Sequence, residues 1–149
     1  MKTSLRLLAA VCFAAYALPC HGLQLNWGSL GGTWVVDSDG DEVTGEYSFE
    51  LGAFPLGFDP DNTAPDLWVA NWMLFDAATY NPMLGLFTSG VVVSNQVTSN
   101  STVPNVSTES FSGLTAYLWI RNSDEPIPGS EWLLVRADNW TFPTIGGDC

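Results

Sequence analysis

Histidine and lysine are almost missing from this 149-residue chain. His21 and Lys2 are the only ones, and both lie in the first 22 residues. Arginine is scarce as well, at Arg6, Arg121 and Arg136. The chain opens with a basic stretch, Met1-Lys-Thr-Ser-Leu-Arg6. An apolar run follows from Leu7 to Leu18, then Pro19 and Cys20-His-Gly22. A basic start, an apolar run of that length and small residues before a cut are the layout of a secretory signal peptide. The run is short for a bilayer span. The expected leader is residues 1–22. Cuts after Ala17 or Cys20 are alternatives. A lipidated Cys20 fits less well, because Leu18-Pro19 is a poor approach to it, and a buried N-terminal helix is the bland counterpart.

With the leader removed, the remaining residues, 23–149, hold no histidine and no lysine. Each absence excludes a chemistry. Serine and cysteine nucleophiles lose their usual activating bases. A zinc site with histidine ligands cannot form. Schiff-base chemistry and a phosphate-binding Walker lysine are excluded too. Carboxylates are the one general acid–base route left. Cysteine is scarce as well. Cys12 and Cys20 fall in the leader, so Cys149 stands alone. It pairs with another chain, stays a free thiol, or has its partner beyond the last residue given, and the third is the expectation here.

What the chain has is acid and aromatic surface. Sixteen acidic residues face two arginines in the mature chain, a formal charge of about −14. Such a surface repels nucleic acid and anionic membranes, and it attracts divalent cations. The apolar fraction, 46%, is too high for a disordered chain. One domain is the natural count for this length.

The best-patterned part is Thr115-Ala-Tyr-Leu-Trp-Ile-Arg121, followed after a Pro- and Gly-bearing connector by Glu131-Trp-Leu-Leu-Val-Arg-Ala137. Alternation with a period of two marks strands, so these runs are expected to pair and to form the centre of a sheet. Residues 33–36 and 43–51 form a second expected hairpin around the acidic turn 37–42. Its second strand places Tyr47, Phe49 and Leu51 on one face and Glu46, Ser48 and Glu50 on a wet one. Residues 66–75 read as a short helix in their first half, with a buried strand as the alternative. Residues 81–85 read as a turn, 86–93 as a strand and 94–112 as an exposed Ser/Thr-rich segment. Many short strands with turns between them predict an all-β domain, a β-sandwich or jelly roll with a short helical segment.

Several stretches together resemble a known group. They are Val35-Val-Asp-Ser-Asp-Gly40, Phe49-Glu-Leu-Gly-Ala-Phe54, Trp68-Val-Ala-Asn-Trp72, Ala116-Tyr-Leu-Trp-Ile120, Ser130-Glu-Trp-Leu-Leu134 and Asn139-Trp-Thr-Phe-Pro143. In this order they resemble small uncharacterised bacterial extracellular proteins of the PEP-CTERM type, whose C-terminal Pro-Glu-Pro tail is read by exosortase systems. The resemblance implies secretion or surface display and no functional residues. The chain departs from that pattern in having no Pro-Glu-Pro, no closing apolar helix and no terminal basic cluster.

Candidate sites are few. Asp37, Asp39 and Asp41 alternate around Gly40 and could converge on calcium. The spacing fails the EF-hand pattern, since position six is Glu42 and position twelve is Ser48. A solvated turn is the competing reading. Among seven tryptophans, Trp119 and Trp132 are expected to pack, whereas Trp27, Trp34 and Trp140 are candidates for a carbohydrate-stacking platform. Glu46, Glu50, Asp124, Glu125 and Glu131 are the acids from which a glycosidase pair would be drawn, and among sixteen acids chance pairs are expected. Asn100, Asn105 and Asn139 begin glycosylation sequons, which matter only in a eukaryotic secretory route. The expected role is structural or matrix-associated, secreted or at the cell surface, without catalysis. Extracellular polysaccharide or cell-surface matrix is the expected partner, and neither nucleic acid nor a membrane span in the mature chain is expected. A calcium-assisted carbohydrate-binding module is the first alternative and a carboxylate glycosidase the second.

Overall fold

The computed structural model describes residues 23–30 and 34–144. The predicted leader, Thr33 and Cys149 lie outside them. The strands are β1 (Gln24–Gly28), β2 (Ser48–Ala53), β3 (Met73–Ala78), β4 (Tyr80–Asn81), β5 (Leu86–Val92), β6 (Tyr117–Arg121) and β7 (Trp132–Val135). Two short 3-10 turns, Pro60–Asn62 and Pro65–Leu67, lead into a one-turn helix, α1 (Trp68–Asn71). The fold is therefore mostly β, with two antiparallel sheets. One runs β1-β5-β4 and the other β3-β2-β6-β7. Among the described residues no helix is long and apolar enough to cross a membrane.

The 66–75 ambiguity resolves into both readings in sequence. Prolines at the first positions start the 3-10 turns, α1 takes one turn, and Trp72 turns extended so that Met73 begins β3. The 115–137 pair forms the expected hairpin, with Leu118 opposite Val135 and Arg121 opposite Trp132. It is not the centre of its sheet. β2 and β6 are the inner strands and β7 is an edge. The reason is that β2 pairs on both sides, with β3 and with β6.

Three other expectations need correction. The strand predicted over 43–51 starts only at Ser48, and Glu50 on its supposedly wet face is 8% exposed. Trp68 and Trp72 cover that face, so it is not solvated. The strand predicted over 33–36 contributes one isolated bridge, Val36 to Glu42, closing the 37–41 turn in which Gly40 takes φ 88°. The 94–112 segment is not simply exposed. Val97 and Phe111 are buried, Phe111 N–H donates to Val97 O at 2.8 Å, and Ser107 N–H donates to Leu74 O at 2.8 Å. Serine side chains at 94, 99, 101, 107 and 110 satisfy nearby backbone N–H groups, which lets a polar sequence fold without strands.

The core takes residues from both sheets. One cluster joins Leu51, Ala53 and Phe75 to Val91, Val93, Phe111 and Phe142; a second joins Phe49 and Ile120 to Tyr80 and Phe87. Phe49 stacks on Phe87 at 4.4 Å and on Tyr80 at 5.6 Å. A bulge in the β2–β3 register lies between Leu51 and Gly52 and leaves Phe75 unopposed, and that ring is fully buried. Asp76 shares the inner face. Its Oδ2 accepts from Trp27 Nε1 at 2.8 Å and its Oδ1 from Ser101 Oγ at 2.6 Å. A buried carboxylate thus ties β1 of one sheet to β3 of the other.

Candidate functional site

Strand alternation sorts the four-stranded sheet into two faces. Phe49, Leu51, Leu118, Ile120 and Leu133 share the face toward the core, by register. Ser48, Glu50, Gly52, Trp119, Arg121 and Trp132 share the other. On that second face four tryptophan rings meet. Trp119 lies edge-on to Trp68, Trp72 and Trp132 at 6.2, 5.2 and 5.4 Å, and Trp68 stacks on Trp132 at 6.5 Å. Arg121 lies over the Trp119 ring at 4.2 Å and pairs with Glu50 at 2.9 Å and Asp124 at 3.2 Å. Gly52 has no side chain because there is no room for one. A Cβ there would lie 2.3 Å from Met73 O and 2.6 Å from Trp72 Cζ2. Glu50 Oε2, Arg121 Nε and the indole N–H groups of Trp68, Trp72 and Trp119 are buried without a hydrogen-bond partner. This face is closed by its own side chains.

A cleft lies elsewhere, between the 35–43 hairpin and the start of β7. It measures about 730 Å³. Val35, Val36, Val43, Ile120 and Leu133 line its apolar part, and Asp37, Asp39 and Glu131 its acidic part. Glu131 is the hub. Its carboxylate accepts from the Ser38 hydroxyl and backbone N–H and from the Tyr47 hydroxyl. Those donors hold the Glu131 carboxyl below its ordinary range. Burial first, then the hydrogen bond to Glu131 and the charges of Glu131 and Asp37, push the Tyr47 phenol up to about 12. The pair therefore stays as phenol and carboxylate across the neutral range. It has neither a proton poised to leave nor a base poised to take one.

The predicted residues fall in separate places. Asp37 Oδ1 accepts from the backbone N–H of Asp39 and Asp41, so it caps its own turn. Asp39 and Asp41 are exposed. Among the described residues no three acidic, histidine or cysteine side chains form a cluster able to hold a metal ion. Trp27 is half-buried, with its N–H on Asp76 and its ring 6.0 Å from Phe87. Trp34 is 57% exposed and lies over Gly85, where a Cβ would come within 2.7 Å of its ring. Trp140 is 41% exposed, and its backbone bonds to Ala116 and Ala137. Among the described residues no ring contact joins any two of these three. Of the glycosidase candidates, Glu50 and Asp124 both hold Arg121, Glu46 and Glu125 are exposed, and Glu131 is engaged by hydroxyls. No family model, curated protein or solved structure matches the chain.

Sequence reading found Glu131 as one acid among sixteen and did not connect it to Ser38 and Tyr47, which lie 93 and 84 residues away. Nothing local signals such a contact. Asp76 did carry a signal. An acid in an otherwise apolar run, Met73-Leu-Phe-Asp-Ala-Ala78, needs buried donors if that run is a core strand.

Proposed function

We propose that this chain is a secreted or cell-surface β domain with a structural or extracellular-matrix role and no catalysis, its two sheets arranged as a β-sandwich. The supporting observation is how the buried and shifted carboxylates are used. Glu50 neutralises Arg121, Asp76 accepts from Trp27 and Ser101, and Glu131 accepts from Ser38 and Tyr47. Each carboxylate is committed to a fixed donor rather than left free to face a substrate, as a glycosidase acid would need to be. Secretion and kinship with the PEP-CTERM type rest on the leader and on the aromatic and turn patterns of the sequence.

The test has two arms. Expressed with its leader in a bacterial host, the chain should leave the cytoplasm and lose residues 1–22, as read by intact mass. The purified domain should release no reducing ends from a polysaccharide panel. Turnover that survives removal of contaminating enzymes and disappears in Glu131→Gln would overturn the non-catalytic reading. Retention of the leader would overturn the location.

The carbohydrate-binding reading keeps one specific support, the exposed indoles of Trp34 and Trp140. It predicts hits on a glycan array that vanish in Trp34→Ala or Trp140→Ala. Its calcium-assisted form also predicts a melting temperature that falls on chelation. An empty array with an unchanged melt would dismiss it.

A further inference from the structure

The four-stranded sheet treats its two edges differently. At β3 the 94–112 segment closes the edge, with Ser107 N–H on Leu74 O and the Ser99 hydroxyl on Phe75 O. At β7 nothing does. Among the described residues no backbone hydrogen bond leaves Trp132–Val135 except toward β6. Natural edges are usually blunted by lysine, proline or a bulge. Here the strand reads Trp-Leu-Leu-Val, unbroken in register and without a charge. Its two sides also differ. On the outer side Trp68 covers Trp132. On the inner side Leu133, in register with buried Ile120, is 54% exposed, and Val36 across the cleft is 52% exposed. The core is open along this strand.

The rim of the opening is acidic and, among the described residues, lacks a counter-ion. Asp37, Asp39 and Glu131 line the cleft, and no cation of the described residues does. The two arginines of the described residues are engaged elsewhere, Arg121 with Glu50 and Asp124 and Arg136 with Asp61. We infer that the β7 edge and its cleft take up an extended peptide added as a strand beside β7, with apolar and basic side chains together on the face turned to the cleft. The unpaired backbone supplies the main-chain bonds. Every second side chain of an added strand points to one face. The cleft on that face holds Leu133 and Val36, which receive apolar groups, and Asp37, Asp39 and Glu131, which receive basic ones. A second copy of this chain is the poorer occupant, because a formal charge of −12 makes two copies repel. A sugar is poorer too, since the one indole in the cleft, Trp132, is already stacked on Trp68 and donates to Ser123 O. The inference concerns recognition alone and stands whether or not the domain is exported.

The experiment uses the full chain and three blocked octapeptides, each fluorescently labelled. One carries Val and Lys in turn at every second position with Ser between them, one has Glu in place of Lys, and one is the Lys/Val peptide N-methylated at alternate residues. Anisotropy titrations should show saturable binding of the Lys/Val peptide. The affinity should weaken about tenfold for the N-methylated peptide, which keeps the charge and loses backbone donors. The Glu/Val peptide should not bind. Leu133→Arg and Asp39→Lys, both at exposed positions, should each weaken Lys/Val binding about tenfold while leaving the melting curve in place. If Leu133→Arg does not fold, Asp39→Lys and the N-methylated peptide still decide. Four results would overturn the inference. They are no binding of the Lys/Val peptide at millimolar concentration, equal binding of the N-methylated peptide, self-association of the chain abolished by Leu133→Arg, or displacement of the peptide by a neutral oligosaccharide.

Discussion

Replacing Arg121 by alanine should cost the domain about 3–5 kcal/mol, because it strands a buried carboxylate. Glu50 is 8% exposed, its Oε1 takes Arg121 Nη2–H at 2.9 Å, and its Oε2 has no other partner. Two further contacts of Arg121 contribute less. Asp124 lies 3.2 Å away, but its side chain is 84% exposed, so that pair adds only about 0–1 kcal/mol. The guanidinium over Trp119 at 4.2 Å adds about 1–2 kcal/mol. Arg121→Met separates packing from charge. It keeps an apolar stem against Trp119 and should still lose most of what alanine loses. The double variant Glu50→Leu, Arg121→Met removes both charges. It should return to within about 1–2 kcal/mol of the parent or exceed it. Urea titrations followed by tryptophan fluorescence measure each value, provided the slope with denaturant stays constant. A loss under about 1 kcal/mol for Arg121→Ala would refute the reasoning. So would single effects that simply add in the double variant.

Four other outcomes follow from the structure. Gly52→Ala should destabilise by about 1–3 kcal/mol or more, since its Cβ would lie 2.3 Å from Met73 O and backbone cannot swing away; a calorimetric melt measures it. Asp76→Ala removes the acceptor of Trp27 Nε1–H and Ser101 Oγ–H, at 2.8 and 2.6 Å, and should cost about 2–4 kcal/mol in chemical denaturation. The Tyr47 phenol is pushed up from 10.0 to about 12, so the folded state holds this proton more tightly than the unfolded chain. Its contribution is whole below pH 10.0 and is lost as the pH rises toward about 12, and Tyr47→Phe should flatten that alkaline decline in thermal melts. Glu131 runs the other way. Its carboxyl is lowered, so its contribution is present above the ordinary carboxylate range and is lost as acid protonates it.

The parts of the fold legible in the sequence were those governed by near neighbours. Alternation exposed the β6–β7 hairpin, β-branched residues marked β5, and prolines with a glycine marked the connector between β6 and β7. The face of a strand was harder to read. Glu50 looked solvated because a charged residue in an alternating strand usually is. Its burial depends on Arg121, which lies 71 residues away, and on Trp68 and Trp72, which only tertiary folding brings over it. The 94–112 segment misled for a related reason. Its serines and threonines mark flexible loops in general, but here they bond to local backbone and let Val97 and Phe111 anchor the core. The half-burial of Trp27 was not legible, because the acceptor that draws it inward, Asp76, is 49 residues away.

The sequence by itself determined how few histidine, lysine and cysteine side chains the chain carries, the sign of its charge and its β class. Composition and two-residue periodicity are properties of the chain alone. Only the tertiary structure decided that β7 is an edge, that its outer side is covered and its inner side open, and that three carboxylates each meet a specific buried or half-buried donor. Those are matters of which distant segments come together, and neighbouring residues carry no record of that.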